Sequence, residues 1–108
     1  ISPSCVLINK NLYTKFGGFD ESLRACEDYD LWLKLTRHYP VGYNPHIDVI
    51  KYAGHEHQLS DQPCLDHFRI KTLNLCLKNE KNSHYKNKIL DIYQHKSRIL
   101  MNGRKKRT

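Results

Sequence analysis

Acidic residues are concentrated between positions 20 and 30 of the segment GGFDESLRACEDYDLWLKL, residues 17–35, and an apolar run follows them. A carboxylate that faces a bound hydroxyl group can remove its proton as a general base. On a helical wheel of residues 27–39, Asp28 falls within the apolar face, whereas Asp30 falls on the polar face. A carboxylate directed into a protein must be hydrogen-bonded, paired or open to a cleft, so Asp28 is the candidate for this chemistry. The alternative is that Asp28 caps the first helical turn by accepting backbone N–H groups.

The sequence Asp28-Tyr29-Asp30 has the D-x-D form that can hold a divalent metal. Residues two apart on a helix point about 200° away from each other, so these two carboxylates could not reach one ion. No metal site is therefore predicted in this segment.

A second polar group, GHEHQLS at residues 54–60, follows a predicted strand and precedes a predicted helix. Loops at strand ends are common places for ligand-binding side chains. His55 or His57 could bind a metal or a diphosphate. With Cys64 and His67, the two histidines could instead form a zinc site, although the spacing matches no common zinc finger. A solvated loop that binds nothing is the third alternative.

An α/β fold with a few short strands is expected to position these groups. Short apolar and β-branched runs predict the strands, and apolar residues at helical spacing predict the helices. Asn9 is expected to cap the first helix, and Gly17-Gly18 to end it. Two amphipathic helices are expected to close the chain after Pro63. The predicted strands are residues 5–8, 41–43 and 48–53, and the other predicted helices are residues 10–16 and 27–38.

The length of 108 residues fits one domain or a piece of one. Of these residues 39% are hydrophobic, and the net charge is +7. No apolar run approaches the length needed to cross a bilayer. The four cysteines form no CxxC pair and indicate reduced, buried thiols of a cytoplasmic protein. No RNA-binding aromatic signature or zinc-finger spacing is present, so nucleic acid is not an expected partner. Residues 104–107 add four positive charges in a tail that is expected to be frayed and solvated.

The segment at residues 17–35 resembles the acceptor-side part of family 2 glycosyltransferases of the GT-A fold. Its glycine pair, Phe-Asp-Glu, Glu-Asp at a helix start and Leu-Trp-Leu run carry the resemblance, and YAGHEHQLS resembles a later segment of that family. The likeness covers residues 1–60 and implies a fragment of a GT-A type fold, the C-terminal, acceptor-side half. Residues 61–103 are expected to form a C-terminal helical pair, followed by the basic tail at residues 104–108.

The resemblance implies an inverting transfer of a sugar from a nucleotide-sugar donor to an acceptor hydroxyl. It supports the functional interpretation of Asp28 as the catalytic base, with Glu27 beside it in the same motif. Trp32, His55 and Gln58 would contact the substrates, His55 facing the diphosphate or metal. A divalent metal, Mg or Mn, is expected in the full-length enzyme. None is expected to be held by this chain, because no Asp-x-Asp element precedes its first predicted strand.

The resemblance also implies partners and a location. The acceptor would be a glycan or lipid-linked molecule of bacterial polysaccharide synthesis. The basic tail suits the inner face of the membrane, and a tail that only adds solubility or has no role is the alternative. Homodimer formation is expected through the exposed edge of the strand at residues 5–8. The alternative function is a non-catalytic protein-interaction module, whose acidic residues only cap helices.

Overall fold

The computed structural model describes residues 1–52, 54 and 64–106, and every regular element in these residues is helical. Two compact units divide the chain, Ile1–Gln58 and Leu59–Thr108. A 3-10 turn, Pro3–Cys5, precedes the helices. The helices are α1 (Lys10–Lys15), α2 (Glu27–Thr36), α3 (Leu65–Asn79) and α4 (Ser83–Lys105).

The expected α/β fold class, including a fragment of a GT-A type sheet, is wrong for the described residues, which contain no strand. Cys5 belongs to the 3-10 turn, and residues 41–52 form no regular element and are exposed along their whole length. A β-branched run becomes a strand only where a neighbouring strand packs against its side chains and completes its hydrogen bonds. These runs have no such neighbour in the described part of the chain, so the strand edge predicted at residues 5–8 does not form.

The predicted helices are present, and asparagine side chains cap two of them, α1 and α4. Asn9 caps α1, because its side chain accepts a hydrogen bond of 2.8 Å from the Asn11 amide. Asn82 caps α4 by accepting from the amides of His84 and Tyr85 at 3.0 and 3.3 Å. Helix α4 continues through Lys105, so the start of the basic tail is helical rather than frayed.

Helices α2 and α3 begin in a different way. Their N-cap residues, Cys26 and Cys64, have φ of 61° and 65°, in the left-handed region, and neither side chain makes a capping hydrogen bond. None of the four cysteines, all of which lie in the described residues, forms a disulfide bond. The thiols were expected to be buried, but Cys5 is exposed and the other three are half-buried.

A tight glycine turn ends α1. Gly17 and Gly18 have φ of 80° and 66°, and the Gly18 amide donates to the carbonyl of Tyr13 at 2.9 Å. The Tyr13 side chain lies so close to Gly18 that a Cβ at this position would be 2.8 Å from two ring carbons and from the hydroxyl oxygen. The Tyr13 hydroxyl accepts a hydrogen bond of 3.2 Å from the amide of Phe19. The turn is therefore held by one aromatic side chain that requires a glycine beneath it.

A row of edge-to-face aromatic rings connects this turn to α2. The ring centroids of Tyr13 and Phe19 are 5.6 Å apart, and those of Phe19 and Trp32 are 6.2 Å apart. The indole N–H of Trp32 donates to the carbonyl of Ile1 at 3.2 Å. Among residues 1–52 and 54, the buried apolar side chains are those of Ala25, Leu31 and Leu35.

In the second unit α3 packs against α4, with Thr72 and Leu73 buried. An ion cluster joins the two helices, because the carboxylate of Asp66 on α3 lies 2.8 Å from Arg69 and 3.3 Å from Lys96 on α4. Burial raises the pKa of the Asp66 carboxyl, but hydrogen bonds and charge from Arg69 and Lys96 outweigh burial, and the pKa lies below its usual value of 3.8. No helix within the described ranges is both long and apolar enough to span a bilayer.

We expect Gly18→Ala to destabilise the first unit more than Gly17→Ala. Both positions have positive φ, which costs an alanine about 1–2 kcal/mol. Only Gly18 lies beneath the Tyr13 ring, so Gly18→Ala should add about 1–3 kcal/mol of overpacking. Urea unfolding followed by the fluorescence of Trp32, the single tryptophan, measures both. Equal losses in the two variants would contradict the role assigned to Tyr13.

We expect Asp66→Asn to remove part of the pH dependence of stability. A carboxyl whose pKa is lowered on folding contributes stability above its unfolded pKa and loses it as the pH falls through the folded value. The variant should therefore be less stable than the parent at neutral pH, and the difference should vanish in acid. Unfolding followed by circular dichroism, at a series of pH values from neutral to acid, checks the prediction. Asp91→Asn, at an exposed position of α4, is the control and should leave the stability unchanged at both neutral and acid pH.

Candidate active site

A turn anchored by one carboxylate leads the chain toward α2. The side chain of Asp20 accepts from the amide and the hydroxyl of Ser22, at 2.9 and 2.6 Å. The Leu23 amide donates to the carbonyl of Asp20 at 3.0 Å. Ala25 is then buried, and the left-handed Cys26 reverses the chain into the first turn of α2. These contacts fix where the acidic residues of that first turn are placed.

Asp28 is half-buried in the first turn of α2. One of its oxygens, Oδ1, accepts a hydrogen bond of 2.8 Å from the amide of Tyr29. This contact is of the kind that the capping interpretation requires, and the helix N-terminus favours negative charge there. No second hydrogen bond to Asp28 occurs among the described residues. Capping therefore occupies one carboxylate oxygen and leaves the other for a second contact.

Asp30 is the buried carboxylate of the cluster, with 3% of its surface exposed. Its Oδ2 atom lies 2.5 Å from the ammonium group of Lys34, one turn further along α2. The wheel placed Asp30 on the polar face, and that prediction is wrong. The spacing of four residues between an acid and a lysine predicts the pair, but not that the carboxylate beneath the lysine is buried.

The two aspartates of the D-x-D sequence thus have separate environments. Asp28 contacts a backbone amide, and Asp30 pairs with Lys34. Within residues 1–52, 54 and 64–106, no three His, Cys, Asp or Glu side chains lie close enough together to hold a metal ion.

The structure describes some of the other predicted site residues but not all of them. Glu27 is half-buried at the first position of α2, next to Asp28. Trp32 lies one turn after Asp28, with its ring half-buried against Phe19 and its N–H occupied by the carbonyl of Ile1. The predicted substrate contacts His55 and Gln58 lie outside the described residues, as does His57.

The remaining two members of the alternative zinc site are described. Cys64 is the N-cap of α3, and His67 is exposed in its first turn. The ring of His67 packs edge-to-face against Phe68 at 5.7 Å. Its histidine partners fall in the part of the chain that is not described.

Comparison with known proteins identifies a family and a distant relative. The family model of glycosyltransferase-like family 2 matches residues 1–107. An uncharacterized glycosyltransferase of Rickettsia typhi is 43% identical over 56 residues, which cover 52% of this chain and 17% of the relative. No solved structure matches the chain. The family match includes α3 and α4, where the sequence shows no recognisable motif, so it extends further than residues 1–60.

We expect Asp30→Asn to cost about 1–3 kcal/mol of stability, because an uncharged amide at this buried position would weaken the hydrogen bond from the partly exposed Lys34 ammonium. Asp28→Asn should stay within about 0.5 kcal/mol of the parent, because an asparagine oxygen still accepts from the Tyr29 amide. Urea unfolding followed by Trp32 fluorescence compares the two variants. The reverse order of losses would show that Asp28, not Asp30, supports the fold.

Proposed function

The chain belongs to glycosyltransferase-like family 2, and from this premise we propose that it forms the acceptor-side part of an enzyme that transfers a sugar to an acceptor hydroxyl with inversion. The observation that carries the proposal is the family match over nearly the whole chain. The name of the Rickettsia typhi relative agrees with it. The donor of the proposed reaction is a nucleotide sugar, and the acceptor is a glycan or a lipid-linked molecule.

In the proposed mechanism Asp28 is the general base. The acceptor oxygen forms a bond to the anomeric carbon while the bond from that carbon to the diphosphate breaks. The bonding electron pair leaves with the diphosphate, and the acceptor proton passes to the Asp28 carboxylate. The contact with the Tyr29 amide supports this role, because it holds one carboxylate oxygen in place while the other has no described partner. The start of α2 would stabilise the charged form before the proton arrives.

The neighbouring residues would position the reactants rather than react. Glu27 adds negative charge to the same helix start. Trp32 offers a half-buried ring whose orientation is fixed by Phe19 and by the Ile1 carbonyl, and flat aromatic faces suit the apolar faces of sugars. His55 and Gln58 are proposed as substrate contacts on the family resemblance alone.

A divalent metal, Mg or Mn, is proposed for the complete enzyme, where it would neutralise the diphosphate that leaves. The described residues do not fit such an ion. Asp28 and Asp30 have different partners, and no group of three suitable ligands is present in the described part of the chain. We therefore assign the metal no ligand and no step in this chain.

Asp28→Asn in the complete enzyme tests the proposal. Asparagine keeps the contact with the Tyr29 amide but cannot accept a proton, so kcat should fall about a hundredfold to ten-thousandfold with an unchanged fold. Release of nucleotide from a panel of sugar nucleotides, with acceptor present, measures turnover.

Glu21→Gln is the matched control, because it removes a carboxylate from an exposed position in the preceding turn. It should leave kcat within about twofold of the parent, as expected for a side chain outside the reaction. Full turnover in Asp28→Asn would exclude this residue as the base. Absence of turnover in the unaltered enzyme with every donor would favour the interaction-module alternative.

A further inference from the structure

All of the net positive charge belongs to the second unit. Residues 59–108 contain twelve Lys and Arg residues against four Asp and Glu residues, which leaves +8. Residues 1–58 contain six against seven, which leaves −1, and the two values give the +7 of the whole chain. A charge difference of this size between two units of one chain favours an anionic partner for the basic unit.

Helix α4 combines this charge with exposed apolar side chains. Tyr85, Ile92 and Ile99 are seven residues apart, so each step shifts by only about 20° around the helix. They form a row, here named the α4 stripe, with exposed fractions of 56%, 45% and 44%. Lys88 is exposed and lies about 40° from Ile92 around the helix. The packing of α3 thus leaves part of the apolar side of α4 uncovered.

We propose that the α4 stripe docks on the surface of an anionic lipid bilayer, with the basic residues of α4 beside the headgroups. Helix α4 carries six Lys and Arg residues against a single aspartate. An amphipathic helix of this type lies in the plane of the interface, with its apolar side chains at the acyl boundary and its long cationic side chains extended toward phosphate. The proposal does not depend on sugar transfer, and its test requires no enzymatic activity.

Charge and exposure together favour lipid over other occupants. A second copy of the chain would bring two units of +8 together, and this repulsion opposes pairing through α4. A nucleic acid would match the charge, but its phosphates would not bury the three half-exposed apolar side chains of the stripe. A bilayer with anionic headgroups accommodates both features at one surface.

The test is sedimentation of the 108-residue chain with vesicles of phosphatidylcholine, with and without phosphatidylglycerol. We expect binding only with phosphatidylglycerol present, weakening as the ionic strength rises. The double variant Ile92→Gln and Ile99→Gln should reduce binding at least about fivefold without a change in charge. The double variant Lys86→Gln and Lys88→Gln should reduce it by roughly fivefold for each lysine removed.

Matched controls come from the first unit. Ile47→Gln with Ile50→Gln makes the same change at positions that are 92% and 74% exposed, and Lys10→Gln removes an exposed charge. These variants should bind vesicles like the parent chain. A second measurement avoids any loss of fold. Ile92→Trp keeps the stripe apolar, and its fluorescence should shift to the blue with anionic vesicles, whereas that of Ile47→Trp should not.

Three results would overturn the proposal. Equal binding to both kinds of vesicle, or no binding to either, would exclude an anionic bilayer as the partner of the α4 stripe. The surface would be assigned to nucleic acid if the Ile92 and Ile99 substitutions left vesicle binding unchanged and the chain also bound RNA tightly in a way that the lysine substitutions abolish. A dimer in analytical ultracentrifugation that the same isoleucine substitutions dissociate would assign the stripe to a second copy.

Discussion

The close approach of the Tyr13 ring to the backbone of Gly18 determines how the chain enters the acidic segment. The ring leaves no space for a side chain at Gly18, and its hydroxyl accepts from the Phe19 amide. Phe19 is thereby held edge-on between Tyr13 and Trp32. Trp32 lies on α2, one turn after Asp28, so the ring contacts connect the glycine turn to the helix that carries the proposed base. A change at the turn would reach the site through two ring contacts.

The sequence predicted the helices well because apolar residues recur at helical spacing, and because the starts of α1 and α4 and the end of α1 depend on local contacts. Asn9 and Asn82 accept from amides two or three residues along, and Gly17-Gly18 supplies positive φ where α1 ends. The strands at residues 5–8, 41–43 and 48–53 were predicted from composition, but a strand depends on a neighbour that is distant in sequence. The composition of one segment cannot supply that neighbour, so this part of the prediction failed.

The candidate site was predictable to a similar, partial extent. The helical wheel placed Asp28 within the apolar face; the residue is half-buried, but Glu27 and Tyr29 are half-buried as well, so burial does not distinguish it and its role stays a prediction. It placed Asp30 on the polar face because a wheel treats each side chain separately, whereas the Asp30 carboxylate is buried and pairs with Lys34. The resemblance in residues 17–35 identified the family, which the match over residues 1–107 confirms. It could not identify α3 and α4 as part of the same family region, because they carry no short motif.

The two kinds of helix start have a consequence for local motion. Helices α1 and α4 begin at an asparagine with an extended backbone, whose side chain accepts hydrogen bonds from the first helical amides. Helices α2 and α3 begin at a cysteine with a left-handed backbone and no side-chain cap. A non-glycine residue in that conformation costs about 1–2 kcal/mol, so less energy is needed to unwind the turn that follows. Opening of this kind at α2 would release Glu27 and Asp28 together. The acids proposed for chemistry therefore lie on a helical turn that begins at a backbone conformation of raised energy.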